Sequence, residues 1–250
     1  MKALALLALL AACIPAYAAD VHSILAVPRQ RIETADFRVS GHLVRVDPDG
    51  GRTSDGISIR AHWFPGVLRE VVEITSPPAA REHILLEMRP DGRNSIVIAH
   101  PGDRALTPLP FDKWSQGPLG NAFSYEDFLD PEYFWPGQTL VEQTTYGARL
   151  CNVIESRPGP EDRTQYAQLK IWLDSKIGFP VYVEKSVKGT GVVKEFTYLG
   201  LRHDGGVWSA SQIEAKIRGR AGSTLLIVDR GTPRAHLTLR DFNPELLTRF

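Results

Sequence analysis

From Phe37 onward, short apolar stretches alternate with turn signals. In Ile57-Ser58-Ile59-Arg60-Ala61-His62-Trp63 the apolar residues fall at every second position. A period of two places Ile57, Ile59, Ala61 and Trp63 on one face of a strand and Ser58, Arg60 and His62 on the other. Runs with similar character cover 37–46, 57–64, 69–75, 83–88 and 95–99, then 166–174, 181–187, 192–201, 207–218, 223–228 and 235–239. Between them lie Asp47-Pro48-Asp49-Gly50-Gly51, Pro90-Asp91-Gly92, Lys188-Gly189-Thr190-Gly191 and His203-Asp204-Gly205-Gly206. These residue types adopt turn dihedrals at low cost. Short strands joined by tight turns predict an antiparallel meander and a mainly β fold. The stretch Val67, Leu68, Val71, Val72 also fits a helical face, but Pro65 and Pro77-Pro78 limit it, and we read it as strand.

Helical signals are few. Asp20 is placed to cap a short helix over 21–27 that ends before Pro28. The clearer case is Phe123-Ser124-Tyr125-Glu126-Asp127-Phe128-Leu129. Ser124 is a good N-cap, Asp127 stands where a capping box puts its acid, and Phe123 and Phe128 occupy the two positions of a hydrophobic staple. Pro131 stops this helix after one or two turns.

The first residues read differently. Lys2, an apolar run from Ala3 to Ile14 and the small-residue site Ala16-Tyr17-Ala18 have the layout of a secretory signal peptide cleaved after Ala18. The run is shorter than the roughly 20 residues a membrane span needs. Residues 1–18 are thus expected to be removed, leaving 19–250 as a single domain. Leu10-Ala11-Ala12-Cys13 offers an alternative, a membrane-anchored lipoprotein acylated at Cys13. The mature chain keeps only Cys151, so no internal disulfide is available and the core must hold the fold. Cys151 itself reads as a small buried apolar residue.

Charge narrows the partners. Without Lys2 the chain has 28 basic and 29 acidic residues, a balance that argues against nucleic acid and against an anionic membrane surface. No nucleophile-elbow, zinc-protease, phosphate-loop or dinucleotide fingerprint is present. The seven His residues are scattered singly, and His42 and His62 fall on the polar parity of their strands. Capping and turn formation account for the acids Glu126, Asp127, Asp130 and Glu132. The chain is therefore expected to be no enzyme and to need no metal or cofactor.

Two segments carry a family likeness. Gly120-Asn121-Ala122-Phe123-Ser124-Tyr125-Glu126-Asp127-Phe128 resembles the FSYED-type motif of the outer-membrane lipoprotein-sorting, LolA-like proteins. Tyr166 to Asp174, with its Trp172-Leu173-Asp174 ending, followed by Gly178-Phe179-Pro180, resembles a second motif of that family. The acid expected just before Phe123 is Ala122 here, and the chain after Gly219 has no clear counterpart. The resemblance implies a curved antiparallel sheet forming an unclosed barrel, with short helices covering the concave side. It implies a periplasmic carrier whose apolar cavity takes the acyl chain of a lipoprotein or lipid, served by an inner-membrane exporter and an outer-membrane acceptor. The residues it points to for the cavity and lid are Trp63, Leu86, Ile98, Phe123, Tyr125, Phe128, Tyr133, Phe134 and Trp135. A strand arginine holding the lid, Arg38 or Arg45, is a further implication. The hollow is expected to be vacant in the free molecule. A sensor or scaffold that binds a lipidated or envelope protein is the alternative. Trp172 falls on the parity opposite Leu169, Ile171 and Leu173, which places it on the outer face or under a loop.

Overall fold

The computed structural model describes residues 20–120 and 122–250, so the expected signal segment and Cys13 lie outside the described residues. Among the described residues one α-helix, α1 (Val21–Glu33), precedes thirteen strands. They are β1 (Asp36–Val46), β2 (Arg52–Phe64), β3 (Val67–Ser76), β4 (Glu82–Met88), β5 (Ser95–Ala99), β6 (Thr107–Pro108) and β7 (Gly137–Tyr146). Then come β8 (Arg149–Arg157), β9 (Tyr166–Asp174), β10 (Pro180–Val187), β11 (Val193–Asp204), β12 (Val207–Ile217) and β13 (Ser223–Pro233). All belong to one antiparallel sheet in the order β6-β5-β4-β3-β2-β1-β13-β12-β11-β10-β9-β8-β7.

The order is two meanders joined at the centre by β1 and β13, strands nearly two hundred residues apart. Gly41 sits at the bulge in this pairing, and a Cβ there would run into the backbone carbonyl of Ile227. The sheet edges are β6 and β7, so the sheet is not closed. Neighbouring strands lie about 4.8 Å apart, so a flat sheet of this size would keep its two halves well separated. Yet Ile59, Leu86, Ile96, Ile154, Ile171, Val183, Phe196 and Leu226, from both halves, share one buried cluster. The sheet therefore bends around that cluster.

Topology forces the chain to travel from one edge to the other between β6 and β7, and it does so across the concave face. This connection, residues 109–136, is the plug. It is built of three-residue and four-residue 3-10 turns at Phe111–Lys113, Tyr125–Phe128 and Pro131–Tyr133. The short helix expected after Ser124 is a single 3-10 turn, because the chain is drawn on by Pro131 before a second turn forms. Helix α1 lies on the same side of the sheet. It runs through Pro28 to Glu33, beyond the predicted stop, since Leu25, Pro28 and Ile32 form its buried stripe and packing outweighs the lost hydrogen bond.

The final segment also departs from expectation. Strand β13 runs on to Pro233, whereas 235–239 forms no strand. Instead residues 234–250 fold back over the outer face of β2 to β5. Leu237, Phe242 and Leu247 bury Val71 and Leu85 there, with Phe64 and Val97 alongside. Arg38 donates to Asp241 at 2.5 Å and Arg60 to the Asp241 carbonyl at 2.8 Å, fastening this strap. Arg38 therefore holds the C-terminal strap and not the plug, and Arg45 pairs with Asp47 in its own turn.

Candidate functional site

All nine residues singled out in the sequence meet in one cluster. Leu86, Phe123, Phe128, Tyr133 and Trp135 are buried in it, and Trp63, Ile98, Tyr125 and Phe134 pack against it partly exposed. Trp63 points inward, as its parity requires, and its ring stacks on Phe134 with centroids 6.3 Å apart. Phe123 and Phe128 form the staple, 5.0 Å apart, and Phe123 reaches Phe196 of β11 at 5.8 Å. Beneath the rings lies an apolar floor that includes Leu43, Ile57, Ile84, Leu169 and Ile171.

The expected vacancy under these rings is not found. Among the described residues Tyr133 and Trp135 are 1% and 2% exposed, so these two side chains fill the space between plug and floor. Two of the better-formed hollows lie elsewhere. One, of about 330 Å³, sits between Leu85 and Val97 of the outer face and Pro244 of the strap. The other, of about 370 Å³, lies at Arg149, Leu150 and Asp174. The structure is that of a closed, plugged half-barrel.

Charge holds the plug in place. Asp127, on the plug, is buried and faces two buried lysines of the sheet: Lys185 of β10 lies 3.1 Å from Oδ1 and Lys194 of β11 lies 3.1 Å from Oδ2. The Tyr166 hydroxyl donates to Oδ1 at 2.6 Å. The Ser124 N–H donates to Oδ2 at 2.8 Å as one half of the capping box, and the Ser124 hydroxyl donates to the same oxygen at 2.6 Å. Burial alone would raise the Asp127 carboxyl, but Lys194 and Lys185 outweigh it and hold the group well below the usual carboxylate range. Lys185 is pushed upward: burial works against its charge, and Asp127 and Glu132 overcome that.

Other plug acids are buried under weaker compensation. Glu126 accepts from the Thr164 hydroxyl and from the Gln165 N–H, yet burial still pushes it up to about 7. Glu132 is raised to about 8 by burial, with Lys185 opposing and Asp130 adding to the rise. On the floor, Glu70 of β3 points inward on the parity of Leu68 and Val72, and burial together with Asp130 raises it well above the ordinary value. Glu82 is raised by burial and accepts from the Tyr125 hydroxyl at 3.0 Å. Helix α1 closes the other side. Arg29 donates to the Tyr133 carbonyl and to Gln138, both at 2.6 Å. Among the described residues the buried Trp135 indole N–H finds no acceptor.

The lysines were not singled out in the sequence, although a signal exists. Lys185 shares the parity of Val181 and Val183, and Lys194 that of Phe196, so each is a cation on the apolar face of its strand. Trp172, by contrast, lies on the outer face, edge-on to Tyr182 at 5.0 Å and under Lys170.

Comparison with known proteins agrees with this architecture. A family model described as an uncharacterized protein matches residues 68–249. No curated protein matches the chain significantly. Among solved structures, an outer membrane lipoprotein-sorting protein domain from Vibrio parahaemolyticus is similar with a TM-score of 0.80 at 16% identity, over 92% of this chain and 100% of that one. A DUF1329 family protein from Desulfovibrio piger is similar with a TM-score of 0.80 at 12% identity, over 91% and 97%. A LolA superfamily protein from Nitrosomonas europaea is similar with a TM-score of 0.69 at 17% identity, over 90% and 98%. Among the described residues no helix is long and apolar enough to cross a membrane. The chain belongs to the uncharacterized-protein family whose model spans more than half of it, and its fold is LolA-like.

Proposed function

We propose that this protein is a periplasmic carrier. It holds the acyl chain of a lipoprotein or lipid, without a covalent bond, on the apolar floor that the plug now covers, for transfer toward the outer membrane. An exporter in the inner membrane would load it and an acceptor in the outer membrane would unload it. The observation that carries this reading is the plug itself. It crosses the concave face outside the sheet's strand pairing, in turns broken by Pro131 and Pro136, and lays aromatic side chains over a continuous apolar floor. A segment of this kind moves without breaking the sheet's ladders.

The energetics favour exchange. Each methylene buried is worth about 0.8 kcal/mol, so an acyl chain of ordinary length supplies on the order of 10 kcal/mol before ordering costs. That is comparable to what the plug's rings contribute by lying there, so one can replace the other at small net cost. A state that is only slightly less favourable than the closed one is what loading and unloading require.

Native mass spectrometry with lipid extraction tests the reading. Protein isolated from the periplasm should carry lipid and pass it to acceptor vesicles. Phe128→Asp should lower lipid occupancy while the β signature in circular dichroism persists, and unchanged occupancy would remove the plug from the binding site. Intact mass of the same preparation distinguishes a chain starting at Ala19 from one acylated at Cys13. A sensor or scaffold for an envelope protein is the second reading, favoured by the filled concave face. It predicts a stable protein complex and no lipid transfer.

A further inference from the structure

Lys185 and Lys194 stand directly opposite each other in the β10–β11 pairing, on the same buried face. Like charges so placed repel, and burying both adds a desolvation cost. The third polar group beside them, the Tyr166 hydroxyl of β9, is also a donor toward the same point. The sheet thus presents two cations and a hydroxyl converging on one spot. The carboxylate that satisfies them, Asp127, belongs to the plug, as do Glu126, Asp130 and Glu132 nearby. Glu184 and Glu195, on these same two strands, project to the outer face, where both bind Arg218. Lifting the plug therefore leaves two buried lysines without their anion.

We propose that the incoming cargo supplies it: the site takes an anionic amphiphile, whose phosphate or carboxylate head replaces the Asp127 carboxylate between Lys185 and Lys194 while its hydrocarbon tail replaces the Phe123 and Phe128 rings. This rests on the carrier reading above and narrows its substrate class. The plug is the internal surrogate of that ligand. It offers two oxygens to two lysines at 3.1 Å, and beside them it lays the Phe123–Phe128 pair, with Phe123 against Phe196. Lys185 also lies 4.7 Å from the Phe196 ring, so head site and tail site are contiguous. A neutral amphiphile would displace the rings but strand the lysines, and is disfavoured on that account.

Dodecyl phosphate, dodecyl maltoside and inorganic phosphate, added below micelle-forming concentrations to the delipidated mature chain, separate the possibilities. Binding is read by calorimetry and by the fluorescence of the buried Trp114 and Trp135. Dodecyl phosphate should bind at least about 10-fold more tightly than dodecyl maltoside, and inorganic phosphate alone should bind far more weakly than either. The charge-free triple variant Asp127→Leu, Lys185→Met, Lys194→Met should bind both amphiphiles alike. Should that variant fail to fold, Asp127→Asn serves: with the internal competitor weakened, its affinity for dodecyl phosphate should rise about 10-fold. Equal affinity of the native chain for the two amphiphiles, or an Asp127→Asn affinity that is unchanged or weaker, overturns the headgroup assignment and leaves the carrier intact. Inorganic phosphate binding as well as dodecyl phosphate overturns it too, in favour of a site for a free anion. Failure of every amphiphile to bind removes the carrier reading and this inference together.

Discussion

At the scale of single residues, Asp127 is the hinge of the arrangement. It was legible in the sequence as the acid of a capping box, and the box is there. What the sequence did not disclose is that the same carboxylate bridges two lysines some sixty residues downstream, because strand parity places a side chain on a face but does not say what lies across from it. Removing it tests the difference between a cap and an ion pair. Loss of a cap costs about 1 kcal/mol, whereas leaving buried cations unpaired costs about 3–5 kcal/mol. Asp127→Ala should therefore lower stability by about 3–5 kcal/mol in urea unfolding, and a loss of only about 1 kcal/mol would reduce Asp127 to a cap. Trp63 shows the opposite case. Its inward placement followed from alternation alone, since every second residue from Ile57 was apolar.

At the scale of elements, the plug should respond to pH. Glu132 faces Lys185 of β10 and Asp130 and Asp127 of its own segment, while Glu126 faces Thr164 and Gln165 of the loop before β9, with Asp127 and Lys185 nearby. Both carboxyls hold their proton in the folded chain, to about 8 and about 7, after the unfolded chain has released it near pH 4.3. Over that interval the folded state binds more protons, so stability is greatest at the acid end and falls as pH rises toward 8. Glu132→Gln should flatten this decline in thermal melts between pH 5 and 8, and a slope identical to that of the native chain would refute the assignment. The elements themselves were unevenly legible. Strands with alternating apolar residues were found. Strand β7 was missed because it is an edge strand whose largely exposed, polar sequence carries no alternating signal, and β8 because its buried Val153 and Ile154 are adjacent and break the alternation.

At the scale of the whole molecule, a mainly antiparallel, unclosed sheet with a covered concave face could be read from turn spacing and the two resembling motifs. The filled interior could not, since whether rings seal a space or leave it depends on packing between distant segments. Nor could the strap: 235–239 alternates well enough to suggest a strand, yet it joins no strand of the sheet, and its Ala235 and Leu237 pack against the outer face instead. Phe242 is 1% exposed in that contact. Phe242→Ala should destabilise the chain by about 3–5 kcal/mol without altering amphiphile binding on the opposite face, measured on the same protein by denaturation and calorimetry. Altered binding would mean that the two faces are coupled through the sheet.

The β1–β13 pairing has a consequence for how the molecule comes into being. Each meander is built of local hairpins, but the strand that joins them follows all the other described strands in sequence, so neither half is sealed at its inner margin until residues 223–233 are in place. Contacts of such long sequence separation form slowly. Both meanders would stay pliable along their inner edges until that pairing closed the seam between them.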